Sequence, residues 1–219
     1  MTCCNHCQGA DEMFSKKTAA RELRRYHKKG PNKSTRLMLE PIRRQESENL
    51  EGKTLLDIGG GIGAISFELL KNGIGKSTHI DASTGYLEVS QKEAEERGLS
   101  DRITYRFGDF TDIDDDLEPA DVVTLDRVVC CYPDREKLIG KSLDKALKYY
   151  GLVYPRDRMG TRIAIAIGNL WFKLRRSDFR TYLHPPEEID RQIQSKGFTR
   201  IGFSRTFIWE AAVYRREAT

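Results

Sequence analysis

The stretch LLDIGGGIGAISFELL, Leu55–Leu70, sets a carboxylate and a run of glycines ahead of a helical pattern. Glycines at Gly59, Gly61 and Gly63 allow positive φ and close approach of the backbone to a ligand. A helix starting near Ile62 presents free N–H groups that suit a carboxylate or a phosphate. Gly59-x-Gly61-x-x-Ala64 also satisfies the loose dinucleotide pattern G-x-G-x-x-A. Asp57, two residues before the first glycine, separates the two readings. It repels a diphosphate and attracts an ammonium group standing beside a carboxylate.

The methionine portion of S-adenosylmethionine is such a zwitterion, and it adds a sulfonium. Three more acids fit that ligand. Asp81, with Ala82 after it, ends the second expected strand 18 residues past Gly63, where a carboxylate can accept from both ribose hydroxyls. That geometry serves a nicotinamide dinucleotide equally well. Asp109 can accept from an adenine amino group while Phe110 packs on the ring. Asp126, after DVVTL, falls near the reactive end of the ligand.

These residues need elements to place them. The pattern predicts strands at Thr54–Ile58, ending at His79–Asp81, and over Ile103–Phe107, Asp121–Leu125 and Leu152–Tyr154. Helices are expected to run from the glycine turn to Leu70, and over Gly85–Arg97, Arg135–Lys148 and Pro185–Lys196. A closing antiparallel pair is expected over Thr199–Ile208 and Glu210–Arg215. Strands alternating with helices of this length give an α/β fold, a parallel sheet covered on both faces. RIAIAI, Arg162–Ile167, alternates like a strand, yet Ile163, Ile167, Leu170, Trp171 and Leu174 share one helical face. Length favours a helix over 160–176 with that stripe as core packing. Ahead of the sheet, two basic helices are expected over 12–29 and 33–46, with Leu37, Met38 and Ile42 turned inward and Pro41 kinking or ending the second. The expected division is a helical arm or lid over 1–50 and a main domain over 51–219.

Asp57-x-Gly59-x-Gly61-x-Gly63, Asp81, Gly108-Asp109 and Asp121–Tyr132 together resemble the ordered motifs of class I S-adenosylmethionine-dependent methyltransferases. The resemblance spans roughly residues 50–215. It implies a Rossmann-like, mostly parallel sheet of seven strands with the last antiparallel, and S-adenosylmethionine as cofactor. VVCCYPD, the 160–176 segment and RTYLHPPEEI, Arg180–Ile189, look like the narrower group of magnesium protoporphyrin IX methyltransferases, which esterify a porphyrin propionate. Members of that group often carry a histidine before the Tyr-Pro pair; this chain has Cys131 there.

The expected reaction is an in-line methyl transfer to a small-molecule hydroxyl or carboxylate, with the arm and the 160–184 segment closing over the acceptor. A carboxylate acceptor needs no base. A hydroxyl acceptor does, and His184, Tyr132, Cys131 and Asp126 are the candidates. The plainer readings stand beside these: His184 as a capping or packing residue, Tyr132 and Tyr26 as packed rings, Asp126 as a structural partner of Arg127. Cys3, Cys4, His6 and Cys7 crowd soft ligands into five residues, but only Cys4-x-x-Cys7 has a knuckle spacing and no second pair lies nearby. No metal is expected.

Composition narrows the classes. Hydrophobic residues make up 38% of the 219, enough for a core without staples, and charged residues 32%. The net charge is +4, yet residues 1–50 hold eleven Lys/Arg against six Asp/Glu, so the arm is basic and the rest near neutral. A basic arm keeps an RNA or protein methyltransferase open, although Glu22 among the cations reads as a solvated face and nucleic acid is not the expected partner. A nicotinamide dehydrogenase and a non-catalytic cofactor sensor also stay open, the first disfavoured by Asp57. No apolar run reaches membrane-spanning length. MTCCNHCQG is too polar for a signal peptide, and five cysteines, an odd number, suit a reducing, cytoplasmic setting.

Overall fold

The computed structural model describes residues 9, 11–45 and 50–217. The Cys3–Cys7 cluster lies outside them. Seven strands form one sheet: β1 Thr54–Ile58, β2 Lys76–Asp81, β3 Ile103–Phe107, β4 Ala120–Asp126, β5 Ala146–Pro155, β6 Phe198–Arg205 and β7 Trp209–Arg216. Their order is β3-β2-β1-β4-β5-β7-β6, and β7 alone runs antiparallel to its neighbours. The strand order reverses between β1 and β4. In open α/β sheets ligands bind at that switch point, beyond the carboxyl ends of the strands.

Alternate residues of each strand feed two cores. Leu55, Val122, Tyr149, Val153 and Val213 face one side, with α1 Lys16–Lys29, α2 Lys33–Gln45, α3 Ala64–Lys71 and α4 Thr84–Glu96 above them. Leu56, Ile58, Val123, Leu125, Tyr150 and Tyr214 face the other, covered by α6 Arg135–Asp144 and α8 Pro186–Ser195. Between β3 and β4 lies the short α5, Phe110–Ile113, and after β5 comes α7, Met159–Leu174.

Several features differ from expectation. The first arm helix is broken at Phe14-Ser15, whose main chain is tied to α4 through the Ser83 hydroxyl donating to the Phe14 carbonyl at 2.6 Å. Pro41 neither ends nor breaks α2, which continues to Gln45. Its ring fills the space a side chain at Gly202 would need, so packing on β6 offsets the missing backbone bond. The helix expected over Arg135–Lys148 stops at Asp144, because Ala146–Tyr150 begins β5. From Tyr149 onward that strand is buried on both faces, which erases the alternation that would have identified it. Finally, the apolar stripe of α7 is not core: Ile163, Ile167, Leu170, Trp171 and Leu174 are exposed, and Phe172 is the buried residue of the helix.

The arm contributes core rather than a detached cover. Met38, Leu39 and Ile42 are fully buried in the same cluster as Leu55 and Val122, and α2 lies across β5, β7 and β6. An apolar core therefore crosses the expected boundary at residue 50.

Candidate functional site

A cavity of about 430 Å³ opens at the carboxyl ends of β1, β2 and β4. Its volume falls within the roughly 300–1,000 Å³ typical of cofactor and ligand sites. Gly59, Gly61, Asp81, Ala82, Asp109, Phe110 and Asp126 line it, together with Tyr132 and Cys131. Asp57, Gly63 and His184 do not.

The glycine loop is pinned to β2. The Gly60 N–H donates to the Ile80 carbonyl at 3.0 Å, and the Gly61 N–H donates to Asp81 Oδ2 at 2.8 Å. Gly61 holds φ +57, a backbone state that side chains rarely adopt. Asp81 Oδ1 accepts from the Ser83 N–H at 2.8 Å, so one carboxylate ties the loop to the start of α4. Burial pushes its pKa up to about 6, and these backbone donors limit the rise.

Asp57 lies under the loop. It is 0% exposed, takes the Thr124 hydroxyl at 2.8 Å and sits opposite His79 on β2. Gly60 packs so closely above that a Cβ there would come within 2.6 Å of His79 Nδ1 and 2.8 Å of Asp57 Oδ2. Glycine is needed at 60 for space, at a φ any residue can adopt. The carboxylate therefore lies beneath the loop and does not line the cavity, in contrast to the position its spacing suggested. Burial pushes Asp57 up to about 7; the Thr124 hydroxyl opposes this, and the nearby Asp126 and Asp81 add to it. His79 is fully buried beside it, its ring against Tyr105 at 5.1 Å, and burial lowers its pKa to about 4.

This arrangement has a pH consequence. Between the unfolded carboxylate pKa and about 7, the native state holds a proton on Asp57 that the unfolded chain has lost. Stability from Asp57 therefore rises as pH falls from about 7 toward 4, by up to roughly 1.4 kcal/mol per pH unit. His79, with a lowered pKa, acts in the opposite sense below pH 6.5. Asp57→Asn is expected to remove the Asp57 component. Urea unfolding at pH 5, 6 and 7 would show it as a changed slope, and identical slopes in both proteins would refute the assignment.

At the far end, Asp109 caps α5 through the Thr111 N–H at 2.9 Å and accepts from the Tyr132 hydroxyl at 2.9 Å. Tyr132 also meets the Thr111 hydroxyl at 2.6 Å. Burial, reinforced by Asp109, raises the phenol's pKa, so it stays a donor. The structure groups Tyr132 with Asp109 and the Phe110 cluster. His184 is off the cavity wall: its Nε2 lies 3.0 Å from the Tyr132 carbonyl and its ring stacks on Tyr182. Burial lowers its pKa. It braces the 129–132 turn. Cys131 Sγ reaches the wall 3.8 Å from Cys130 Sγ; a hydrogen bond from Cys130, helped by Arg127, lowers its pKa.

The arm supplies what sequence reasoning missed. Thr35 Oγ1 donates to Asp126 Oδ2 at 2.5 Å, while Arg127 Nε donates to Asp126 Oδ1 at 3.2 Å. Arg127, at φ +64, also faces Glu22 at 3.5 Å, and Glu22 accepts from the Tyr86 hydroxyl at 2.8 Å. Met13, Phe14, Arg25 and Asn32 complete this wall, with Trp209 from β7. Thr35 did carry a signal: it is a hydroxyl on the inward side of an amphipathic helix, buried in the structure. Tyr26 is packed, donating to Glu68 at 3.1 Å.

Comparison with known proteins agrees with this layout. Residues 55–151 match the methyltransferase domain family. The ubiquinone biosynthesis O-methyltransferase of Actinobacillus pleuropneumoniae is 34% identical over 126 residues, covering 53% of this chain and 52% of that protein. The ribosomal protein L11 methyltransferase of Escherichia coli is 35% identical over 74 residues, 34% of this chain and 24% of that protein. The chain thus spans between a quarter and about half the length of these curated relatives. Magnesium protoporphyrin IX methyltransferase from Synechocystis PCC 6803, solved with bound S-adenosylhomocysteine, superposes with a TM-score of 0.68 over 94% of this chain and 98% of that one at 19% identity. A geranyl diphosphate methyltransferase solved with S-adenosylmethionine gives 0.68 over 91% and 90% at 13% identity. At these identities the likeness is one of fold.

Proposed function

We propose that this chain, which carries a class I S-adenosylmethionine-dependent methyltransferase domain, methylates an oxygen of a small acceptor held between the glycine loop and the helical arm. The observation that carries the reading is the single cavity wall on which Gly61, Asp81 and Asp109 follow one another. The residues present fit the cofactor: the loop backbone and Asp81 for the methionine and ribose portions, Ala82, Asp109 and Phe110 for the adenine. Asp57, beneath the loop, adds negative charge only as pH rises through about 7, where it ionises. Bound S-adenosylmethionine supplies a methyl group already activated on a sulfonium. What remains for the protein is orientation and exclusion of water.

The acceptor end is built by Arg25, Asn32, Thr35, Asp126, Arg127 and Trp209. Arg25 has no ion-pair partner among the described residues, so it is available to an anionic acceptor. A carboxylate acceptor suits that charge and requires no base. Should the acceptor be a hydroxyl, Asp126 and Cys131 are the two sequence-predicted base candidates that remain on the wall, Tyr132 being engaged by Asp109 and His184 lying outside. The O-methyltransferase among the relatives supports oxygen as the methylated atom.

Incubating the protein with radiolabelled S-adenosylmethionine and cell extract, then resolving the label by mass spectrometry, tests this. Label in a small organic acid or phenol supports it; a protein that binds the cofactor by calorimetry but labels only RNA or polypeptide overturns it. Arg25→Ala is expected to raise the acceptor KM about 10–150-fold, the loss of one charge-assisted hydrogen bond, with cofactor affinity unchanged within about twofold. A parallel fall in cofactor affinity would move Arg25 to the cofactor side.

A further inference from the structure

Helix α7 has two faces with different partners. On the inner face Asn169 exchanges hydrogen bonds with the Thr181 main chain at 2.8 and 2.9 Å, and Phe172 packs edge-on against Phe179 at 5.3 Å. Phe172, Phe179 and Thr181 are cavity wall. The outer face carries Met159, Ile163, Ile167, Leu170 and Leu174, spaced as one helical stripe, with Trp171 alongside. All are exposed, Met159 at 71% and Leu174 at 75%. The stripe continues onto the β6–β7 turn, where Phe207 is 85% exposed and the Ile208 carbonyl accepts from the Arg156 N–H at 2.8 Å just before α7. So many exposed large apolar side chains along one helical face mark an interaction site.

Its surroundings indicate the partner. Residues 156–180 hold seven Arg/Lys and two Asp, a net charge exceeding that of the whole chain. One of those acids, Asp157, is already paired with Arg162 at 2.7 Å. Arg175 lies over the Trp171 ring at 4.3 Å, joining a cation to an interfacial aromatic. A second copy of this chain docked two-fold on the same face would set positive charge against positive. An anionic lipid surface meets both halves of the pattern, apolar stripe and cationic rim. With 16 residues, α7 is too short to span a bilayer, and among the described residues no helix is long and apolar enough to do so.

We infer that α7 and the Phe207–Ile208 turn seat the protein on an anionic membrane surface, with the helix lying in the headgroup plane. Because the inner face of the same helix is cavity wall, the docked protein would take its acceptor from the lipid phase; that consequence, unlike the docking, rests on the proposed methyl transfer.

Co-sedimentation with phosphatidylcholine vesicles, with and without phosphatidylglycerol, tests the docking on the full chain. Binding to the anionic vesicles is expected, lost at high salt, and weakened at least about tenfold by Ile167→Glu with Leu170→Glu or by Arg175→Glu with Arg176→Glu. The affected residues are exposed, and unchanged S-adenosylmethionine binding by calorimetry would confirm that each variant folds. Failure of the parent protein to sediment with anionic vesicles at low salt overturns the inference. So does a shift from dimer to monomer in the stripe variant without vesicle binding by the parent, which would give the face to a second copy. Either result leaves the methyltransferase reading standing if cofactor binding persists.

Discussion

Asp81→Ala is expected to weaken S-adenosylmethionine binding about 10–150-fold, the equivalent of roughly 1.5–3 kcal/mol of charge-assisted hydrogen bonding to the ribose. The structure adds a second source of loss, because Asp81 also holds the Gly61 and Ser83 N–H groups, each at 2.8 Å. Without it, the loop must recover its cavity-lining conformation at the expense of binding energy. Asp81→Asn keeps the size and removes the charge, so its loss should be smaller. A pH signature accompanies the affinity change. Burial raises Asp81 to about 6 in the unliganded protein, and only the ionised form offers a charged acceptor to two hydroxyls. Affinity is therefore expected to fall as pH drops below about 6, approaching tenfold per unit, and Asp81→Asn should lack that step. Calorimetry between pH 5 and 8 on the three proteins checks both effects. An unchanged Kd in Asp81→Ala would remove this carboxylate from the cofactor site.

The sheet was legible because its signals are local, and so was the clustering of several motif residues on one cavity wall. Gly59–Gly63, Asp81 and Gly108-Asp109 each follow or end a short strand, so position along the chain nearly equals position at the carboxyl edge of the sheet. The acceptor side was harder to read because it is assembled across the chain. Thr35 and Asp126 are 91 residues apart, and no spacing rule joins them. Asp57 shows the limit of a motif: its spacing from the glycines locates it correctly in sequence, but strand alternation turns its side chain down beside Thr124 and His79. The α7 stripe shows another limit. A period of about 3.6 reports that a helix has an apolar face, and it cannot say whether protein or lipid covers that face. The end of α6 was misplaced because Ala146 and Leu147 suit helices locally, while pairing with β4 and β7 decides the outcome.

Removing residues 1–45 is expected to abolish the cooperative fold, not merely turnover. Met38, Leu39 and Ile42 are completely buried on the sheet, and burying such side chains stabilises by about 1.5–3 kcal/mol each. Three of them approach the roughly 5–15 kcal/mol net stability of a whole domain, before counting the strand residues Leu55, Tyr149 and Val213 that the deletion would expose. Thermal melts followed by circular dichroism should show no sharp transition in the truncated chain, and calorimetry should show no cofactor binding. A finer change separates structure from chemistry. Thr35→Val keeps the size of the side chain while deleting its hydrogen bond to Asp126, so the melting temperature should move by only a few degrees and methyl transfer should fall about tenfold, the cost of about 1.4 kcal/mol. A truncated protein that melts cooperatively and still binds S-adenosylmethionine would make the arm a detachable cover after all. The burial of Met38, Leu39 and Ile42 is the reason to expect otherwise: α2 covers β5, β7 and β6 on one face of the sheet, and Thr35 on the same helix reaches the cavity only because α2 is in place.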